Sequence, residues 1–373
     1  MFNHEFIKNQ ETLTVCQLLN SNTFIIPIYK RPYVWHKPQC ETLWNDLYNL
    51  FETEKQNNNK PNKSHCFPAC SDESIDDQVY SLGSVFLSIP NLHTDEAFKL
   101  TLPNASDRPY CIVDGQQRLI TISLLLRALW HDDLQQYVEF IRCFQRCNKY
   151  NFNESLGSRF LFSNLDLRYD LDETLQTVKE PELTHTLYYK NYSYFKNKID
   201  SLFDKLENRK KFINTILHKT YFSKNIYPNE IRAMTFFETP KHKGLVQTDG
   251  DKLKIKLAKL ALEGSMTTFA SFDNFSSAWW LLESKIDALR NASNRKITLN
   301  KLFQRYMIAL RKKHNDTTPL VKIKDFFEGN VKDTQNNKRK TNKYTFEKIG
   351  WSNVITSLEQ IINEMTSQSQ QQK

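Results

Sequence analysis

The sequence predicts an α+β fold: a small mixed sheet with helices packed on it over roughly the first 130 residues, then a mainly α-helical region. Three observations predict it. Tyr110-Cys-Ile-Val-Asp-Gly-Gln-Gln-Arg118 leads into the apolar run Leu119 to Trp130, the pattern of a buried strand, a tight glycine turn and a helix. Phe24-Ile-Ile-Pro27 and Tyr80 to Ile89 are short apolar runs bounded by turn or polar residues, as strands are. Beyond about Gln135 apolar residues recur three and four positions apart, notably over Tyr188 to Leu206 and Leu253 to Leu262.

In chain order, Val15 to Leu19 predict a short helix, and Phe24 to Pro27 a strand that proline ends. Pro38 to Leu50 predict an amphipathic helix with proline near its first turn. Residues 52–79 turn polar, with Gln56-Asn-Asn-Asn-Lys60 and Asp72 to Asp77, and read as a solvated insertion. The Tyr80 strand and the Asp114 strand-turn-helix complete a domain expected over 12–133. A helical domain is expected over 134–328, with β-like interruptions near Arg159 to Phe162 and Thr220 to Phe222 and further helices over Ala278 to Lys312. Residues 329–373 read as a basic linker carrying Lys338-Arg-Lys340, a last helix over Trp351 to Met365 and a glutamine-rich tail.

Composition narrows the functional classes. The 373 residues carry 51 Lys plus Arg against 42 Asp plus Glu, a net charge of +9. Such a balance suits a polyanion such as DNA, and equally a lysine-rich, well-solvated surface. No apolar stretch follows Met1, where His4, Glu5, Lys8 and Glu11 intervene, so no signal peptide is expected. The run Leu119 to Trp130 is too short to span a bilayer and contains Arg127. Seven cysteines without a regular framework fit a reducing cytoplasm. Neither a phosphate-binding Gly-x4-Gly-Lys-Ser/Thr loop nor a paired Cys-x2-Cys or His-Glu-x-x-His zinc signature occurs. His65-Cys66 with Cys70 lacks a fourth ligand, and Cys143 and Cys147, four apart on an expected helix, read as packing residues. No metal ligand is therefore assigned.

The Asp114-Gly115 junction carries the chemistry. A strand that passes into a helix through glycine aims first-turn N–H groups and the positive end of the helix dipole at one point, which suits a phosphate. Only 8 of the 373 residues are glycine, so one at this junction implies backbone freedom. A plain structural alternative is that Asp114 caps the helix and pairs with Arg118 four residues on. Ile26-Pro-Ile-Tyr-Lys-Arg-Pro-Tyr-Val-Trp35 places Lys30 and Arg31 among aromatics, where Arg31 suits a phosphate or base and Tyr33 and Trp35 suit a core.

These segments together resemble a known family. Ile26 to Trp35, then Leu82-Gly-Ser84 with Ile112-Val-Asp-Gly-Gln-Gln-Arg-Leu119, and Phe237-Glu-Thr-Pro-Lys-His-Lys-Gly-Leu-Val-Gln-Thr-Asp-Gly-Asp-Lys-Leu-Lys254 resemble, in order, the N-terminal domain of GmrSD-type modification-dependent restriction systems. That domain is similar to ParB and sulfiredoxin. The third segment departs from the family pattern: Lys241 and Lys243 stand where it has Asn and Arg, while Glu238, Gly244, Asp251 and Lys254 match. Lys30 likewise stands where the family has Gln.

The resemblance implies binding and hydrolysis of a nucleoside triphosphate (GTP, ATP or another) with a divalent cation such as Mg, coupled to recognition of modified phage DNA. Asp114, Arg118 and Gln117 become the expected catalytic residues. Lys30, Arg31, Gly115 and Gln116 are expected to bind nucleotide, with support from Glu238, Gly244, Asp251 and Lys254. The family's HNH nuclease has no counterpart in these residues, so it is expected in a partner subunit or a further C-terminal domain; a homo-oligomer stays open. Two other readings remain: a non-catalytic ParB-like DNA-binding module, and a scaffold that docks a nuclease subunit.

Overall fold

The α+β expectation holds: a six-stranded mixed sheet organises the first part of the chain, and helices make up the rest. The computed structural model describes residues 9–58, 79–90, 109–147, 155–162, 165–176, 186–237, 248–265, 271–293, 297–316, 321–328 and 344–371. The chain divides into two units. Among the described residues, one takes those up to Ile26, from Pro32 to Pro90 and from Pro109 to Glu230; the other takes Pro27–Arg31 and those from Ile231 onward.

In the first unit, strand β1 (Asn9–Thr14) runs directly into helix α1 (Val15–Asn20). Thr14 and Gln17 form a capping box: the Thr14 hydroxyl accepts from the Gln17 amide at 3.1 Å, and the Gln17 side chain accepts from the Thr14 amide at 3.0 Å. Such reciprocal caps satisfy two otherwise orphaned donors and fix where the helix starts. β2 (Thr23–Ile26) follows, then α2 (Lys37–Asn58), β3 (Tyr80–Ser88) and β4 (Pro109–Asp114). Helix α2 runs past the expected end at Leu50, so the start of the polar stretch, Glu52 to Asn58, is helical. The polar face suited solvent while Phe51 still reached the core, which is why composition alone misplaced the boundary.

Helix α3 (Gln116–Leu129) is apolar almost all round, with Leu119, Ile120, Ile122, Leu124, Leu125, Leu126, Ala128 and Leu129 fully buried. A helix with that pattern belongs in the middle of a core. Each buried leucine there stabilises by about 2–5 kcal/mol, read as the cost of Leu→Ala. Then come α4 (Val138–Arg142), β5 (Gln145–Cys147), β6 (Ser155–Ser158), β7 (Phe160–Phe162), α5 (Leu165–Gln176), α6 (Leu187–Leu202), α7 (Leu206–His218) and β8 (Thr220–Tyr227). Cys147 lies in β5, paired with β6, so it and Cys143 do not share a helix.

The sheet order is β1-β8-β3-β4-β2-β7. Thus the two β-like stretches expected around residues 160 and 220 are strands of this same sheet. β8 lies between β1, antiparallel, and β3, parallel. Its Lys224, 7% exposed, is accommodated by Glu11 at 3.6 Å, the Asn22 side chain at 3.4 Å and the Tyr110 ring at 5.0 Å.

The second unit is helical: α8 (Glu230–Phe237), α9 (Asp249–Ser265), α10 (Ser271–Ser293), α11 (Leu299–Lys313), α12 (Ile323–Glu328), α13 (Phe346–Ile349) and α14 (Trp351–Gln371). Leu253, Leu257, Trp279, Leu282, Phe303, Phe327, Phe346 and Leu358 build its core, and Ile28 and Tyr29 join them. The expected basic linker at 329–343 lies outside the described residues. No described helix is long and apolar enough to cross a membrane.

Candidate functional site

The strand-turn-helix forms as its sequence predicts. Asp114 closes β4, Gly115 turns with φ of 99°, and α3 begins at Gln116. Here glycine is required twice over. That φ lies in the left-handed region, and a Cβ on Gly115 would meet Val85 Cγ1 at 2.7 Å. The N-cap of α3 is Gly115, which offers no side-chain cap, so Asp114 does not cap the helix. Nor do Asp114 and Arg118 form an ion pair among the described residues, and the half-buried Asp114 carboxylate has no hydrogen-bond partner among them. The capping-and-pairing alternative therefore fails on both counts.

Arg118 is held instead by backbone. Its guanidinium donates to the Leu82 carbonyl and, at 2.6 Å, to the Ser84 carbonyl. Between them Gly83 takes a φ of 83°, and a Cβ there would collide with the Arg118 guanidinium. A glycine inside a strand pattern often marks such a close approach; β3 changes register at this point. Burial draws the Arg118 guanidinium below its ordinary value, and the Asp114 charge pushes back the other way. So Leu82-Gly-Ser84 exists to seat Arg118 beside the turn.

Gln117 is occupied on both sides of its amide: Oε1 accepts from the Val34 amide at 2.9 Å, and Nε2 donates to the Pro32 carbonyl at 3.2 Å. It positions the chain after Arg31, a narrower task than the catalytic one expected. Tyr33 is buried below it; its hydroxyl meets Thr121 Oγ1 at 2.7 Å and accepts from Asn191 Nδ2 at 2.9 Å. The same Asn191 nitrogen reaches the Trp35 carbonyl at 2.8 Å. Burial raises the Tyr33 phenol far above its ordinary value, and pushes the nearby Cys40 thiol up to about 12. Gln116 is itself buried, at 5% exposure.

The second unit carries the remaining site residues. Lys30 and Arg31 are half-buried in the turn after Pro27, where the Lys30 amide donates to the Pro27 carbonyl at 3.0 Å. Lys254, on α9, is 2% exposed; its ammonium meets Glu283 Oε1 at 2.6 Å, the Lys30 carbonyl at 3.4 Å and the Trp279 ring at 5.2 Å. Trp279 Nε1 donates to that same Glu283 oxygen at 2.9 Å. Asp251 accepts from the Thr248 amide at 3.0 Å, and its own amide donates to the Thr248 hydroxyl at 3.2 Å, so Thr248 caps α9 and Asp251 completes the capping box. Glu238 and Gly244 lie outside the described residues.

Sequence reasoning missed Asn191, Thr121, Glu283 and Trp279, and no sequence signal pointed to them; Gly83 in the Leu82-Gly-Ser84 segment signals the seat of Arg118 instead.

A match to the family described as GmrSD restriction endonuclease, N-terminal domain, spans residues 15–258. The chain belongs to this family. It contains all of β2, β3, β4, α3 and β8, and Lys254 as well, so the match covers the first unit's sheet from β2 on and the start of the second unit. Membership makes the protein a component of a DNA-acting restriction system. No curated protein matches the chain.

Proposed function

We propose that the chain is the nucleotide-hydrolysing sensor of a modification-dependent anti-phage restriction system, with Asp114 and the first turn of α3 as its nucleotide phosphate site. The supporting observation is the Asp114 carboxylate, without a hydrogen-bond partner among the described residues, at a glycine turn whose helix lacks a side-chain cap. A carboxylate in such a place is costly unless something positive or a donor completes it.

First-turn N–H groups of α3 would receive phosphate oxygens, with the helix dipole favouring the negative charge. Arg118, fixed by two carbonyls, presents its charge without first losing side-chain freedom, as transition-state stabilisation requires. Phosphoryl transfer depends mainly on positioning and charge compensation, so this chain's task is to hold the phosphates and orient the attacking water. One carboxylate together with substrate phosphates is an ordinary donor set for Mg2+, so Asp114 would hold the ion and the ion would supply charge neutralisation. Lys30 and Arg31 would contact nucleotide or DNA. The nuclease step would fall to an HNH partner or a further domain.

Asp114→Asn is the decisive variant, because it keeps the size of the side chain and breaks no hydrogen bond among the described residues. Hydrolysis of GTP and ATP is measured with and without modified phage DNA. Wild type should turn over and Asp114→Asn should lose at least about 100-fold, with an unchanged circular dichroism spectrum. Equal rates in both would refute the site. Salt-steep DNA binding with no hydrolysis by wild type would instead support the non-catalytic DNA-binding reading.

A further inference from the structure

We propose that Cys16, Glu139 and His218 form a three-ligand site in the first unit for a borderline-soft divalent ion of the zinc class, with a solvent molecule as the fourth ligand. The three groups offer a thiol, a carboxylate and an imidazole whose ligating atoms all lie within 4.8 Å of one another. Cys16 Sγ is 2.9 Å from Glu139 Oε1, and His218 Nε2 is 3.7 Å from Glu139 Oε2. At ordinary zinc bond lengths of about 2.0–2.3 Å, tetrahedral ligand atoms sit about 3.4–3.7 Å apart. The cluster brackets that spacing, so small side-chain adjustments suffice to receive an ion.

The fold brings these residues together for a reason. β1 and β8 pair with Thr14 opposite Tyr221. Cys16 stands two residues after Thr14 at the start of α1, and His218 three residues before Tyr221 at the end of α7, so the pairing delivers both to one end of the sheet. The capping box at Thr14 and Gln17 fixes the turn that carries Cys16. Glu139 and Cys143 are four apart around α4, hence on one face. The Cys143 thiol donates to the Glu139 carbonyl at 3.3 Å and so helps to fix the turn that carries Glu139.

The surroundings match what a thiolate site needs. Asn20 Nδ2 donates to Cys16 Sγ at 2.9 Å, an outer-shell contact of the kind that steadies a coordinating sulfur. One thiolate, one carboxylate, a neutral imidazole and a divalent ion sum to no net charge, so the site needs no further counter-ion. Cys16 and Cys143 are buried while the Glu139 and His218 side chains are 48% and 37% exposed, giving a dry floor and an open approach from solvent. No sequence spacing reveals such a site, because its ligands come from three helices spread over about 200 residues.

The test uses the full chain, stripped with chelator under reducing conditions and titrated with Co2+, then Zn2+. Wild type should bind one ion at this site, with the visible bands of tetrahedral cobalt and a near-ultraviolet sulfur-to-cobalt transition. The Cys16→Ser variant should lose the sulfur transition. His218→Gln, at a half-exposed position that keeps the fold, should weaken binding by more than roughly 100-fold, since loss of an outer-shell partner alone already costs 10–100-fold. A wild type that binds no ion overturns the proposal, as does a sulfur transition that survives in Cys16→Ser.

Discussion

Gly115→Ala tests whether the turn beside Asp114 is as constrained as its geometry requires. The substitution adds one methyl group, and two separate effects follow. A left-handed backbone at φ 99° costs an alanine about 1–2 kcal/mol. The new Cβ would lie 2.7 Å from Val85 Cγ1 and 3.4 Å from Val85 Cα, and wedging a methyl into a packed core costs about 1–3 kcal/mol. Alanine's stiffer unfolded chain returns about 0.4–1 kcal/mol. The net loss should be about 2–4 kcal/mol, which multiplies the unfolded fraction about 30- to 1,000-fold. Urea denaturation followed by tryptophan fluorescence reads it directly. A Val85→Ala companion separates the two effects: it removes the clash but leaves the backbone penalty, so the double mutant should recover about 1–2 kcal/mol relative to additivity. If Gly115→Ala costs under about 1 kcal/mol, or if the two substitutions simply add, the turn is not held as described.

Three further outcomes are expected. Asn191→Ala removes both bonds from Nδ2, to Tyr33 and to the Trp35 carbonyl, and should destabilise by about 2–3 kcal/mol, measured as a fall in Tm and in the urea midpoint. Glu283→Gln keeps an acceptor for Trp279 but leaves the buried Lys254 charge uncompensated, which should cost about 3 kcal/mol; Lys254→Met in the same chain should recover most of it by denaturant titration. Tyr80 donates to Asp46 at 2.6 Å, and burial followed by that carboxylate pushes its phenol up to about 12. A raised folded-state value favours the neutral phenol, so its contribution to stability is whole below pH 10 and fades as pH climbs towards 12. Ultraviolet titration of wild type against Tyr80→Phe should show one fewer phenol ionising near pH 12 in the variant.

The strand-turn-helix was legible because every signal in it is local: an apolar strand, an Asp-Gly turn and a leucine-rich helix lie within about 20 residues. What lies beside it was not. Asn191 and Thr121 meet Tyr33 across 158 and 88 residues of chain, and no pattern in one sequence encodes such a meeting. β8 illustrates a second limit. Its Phe222 and Ile226 suit a strand, but Ser223, Lys224 and Asn225 argue for an edge or a loop, and only the arrangement of Glu11, Asn22 and Tyr110 lets Lys224 sit inside the sheet. Lys254 fails the same way: on helical spacing it is an ordinary surface lysine, and only Glu283 makes it a buried one. Family resemblance alone singled it out.

The assignment of Pro27–Arg31 to the second unit sets how this protein can be divided. A fragment ending at Glu230 would carry Ile28 and Tyr29, 5% and 2% exposed in the whole chain, without the helices that cover them. A fragment beginning at Ile231 would lack the two side chains that fill its core. Neither unit is a continuous stretch of polypeptide, so no single cut yields two intact halves. The helical part therefore depends on five residues of the motif-bearing stretch, and a cut at Glu230 should leave apolar surface bare on both pieces.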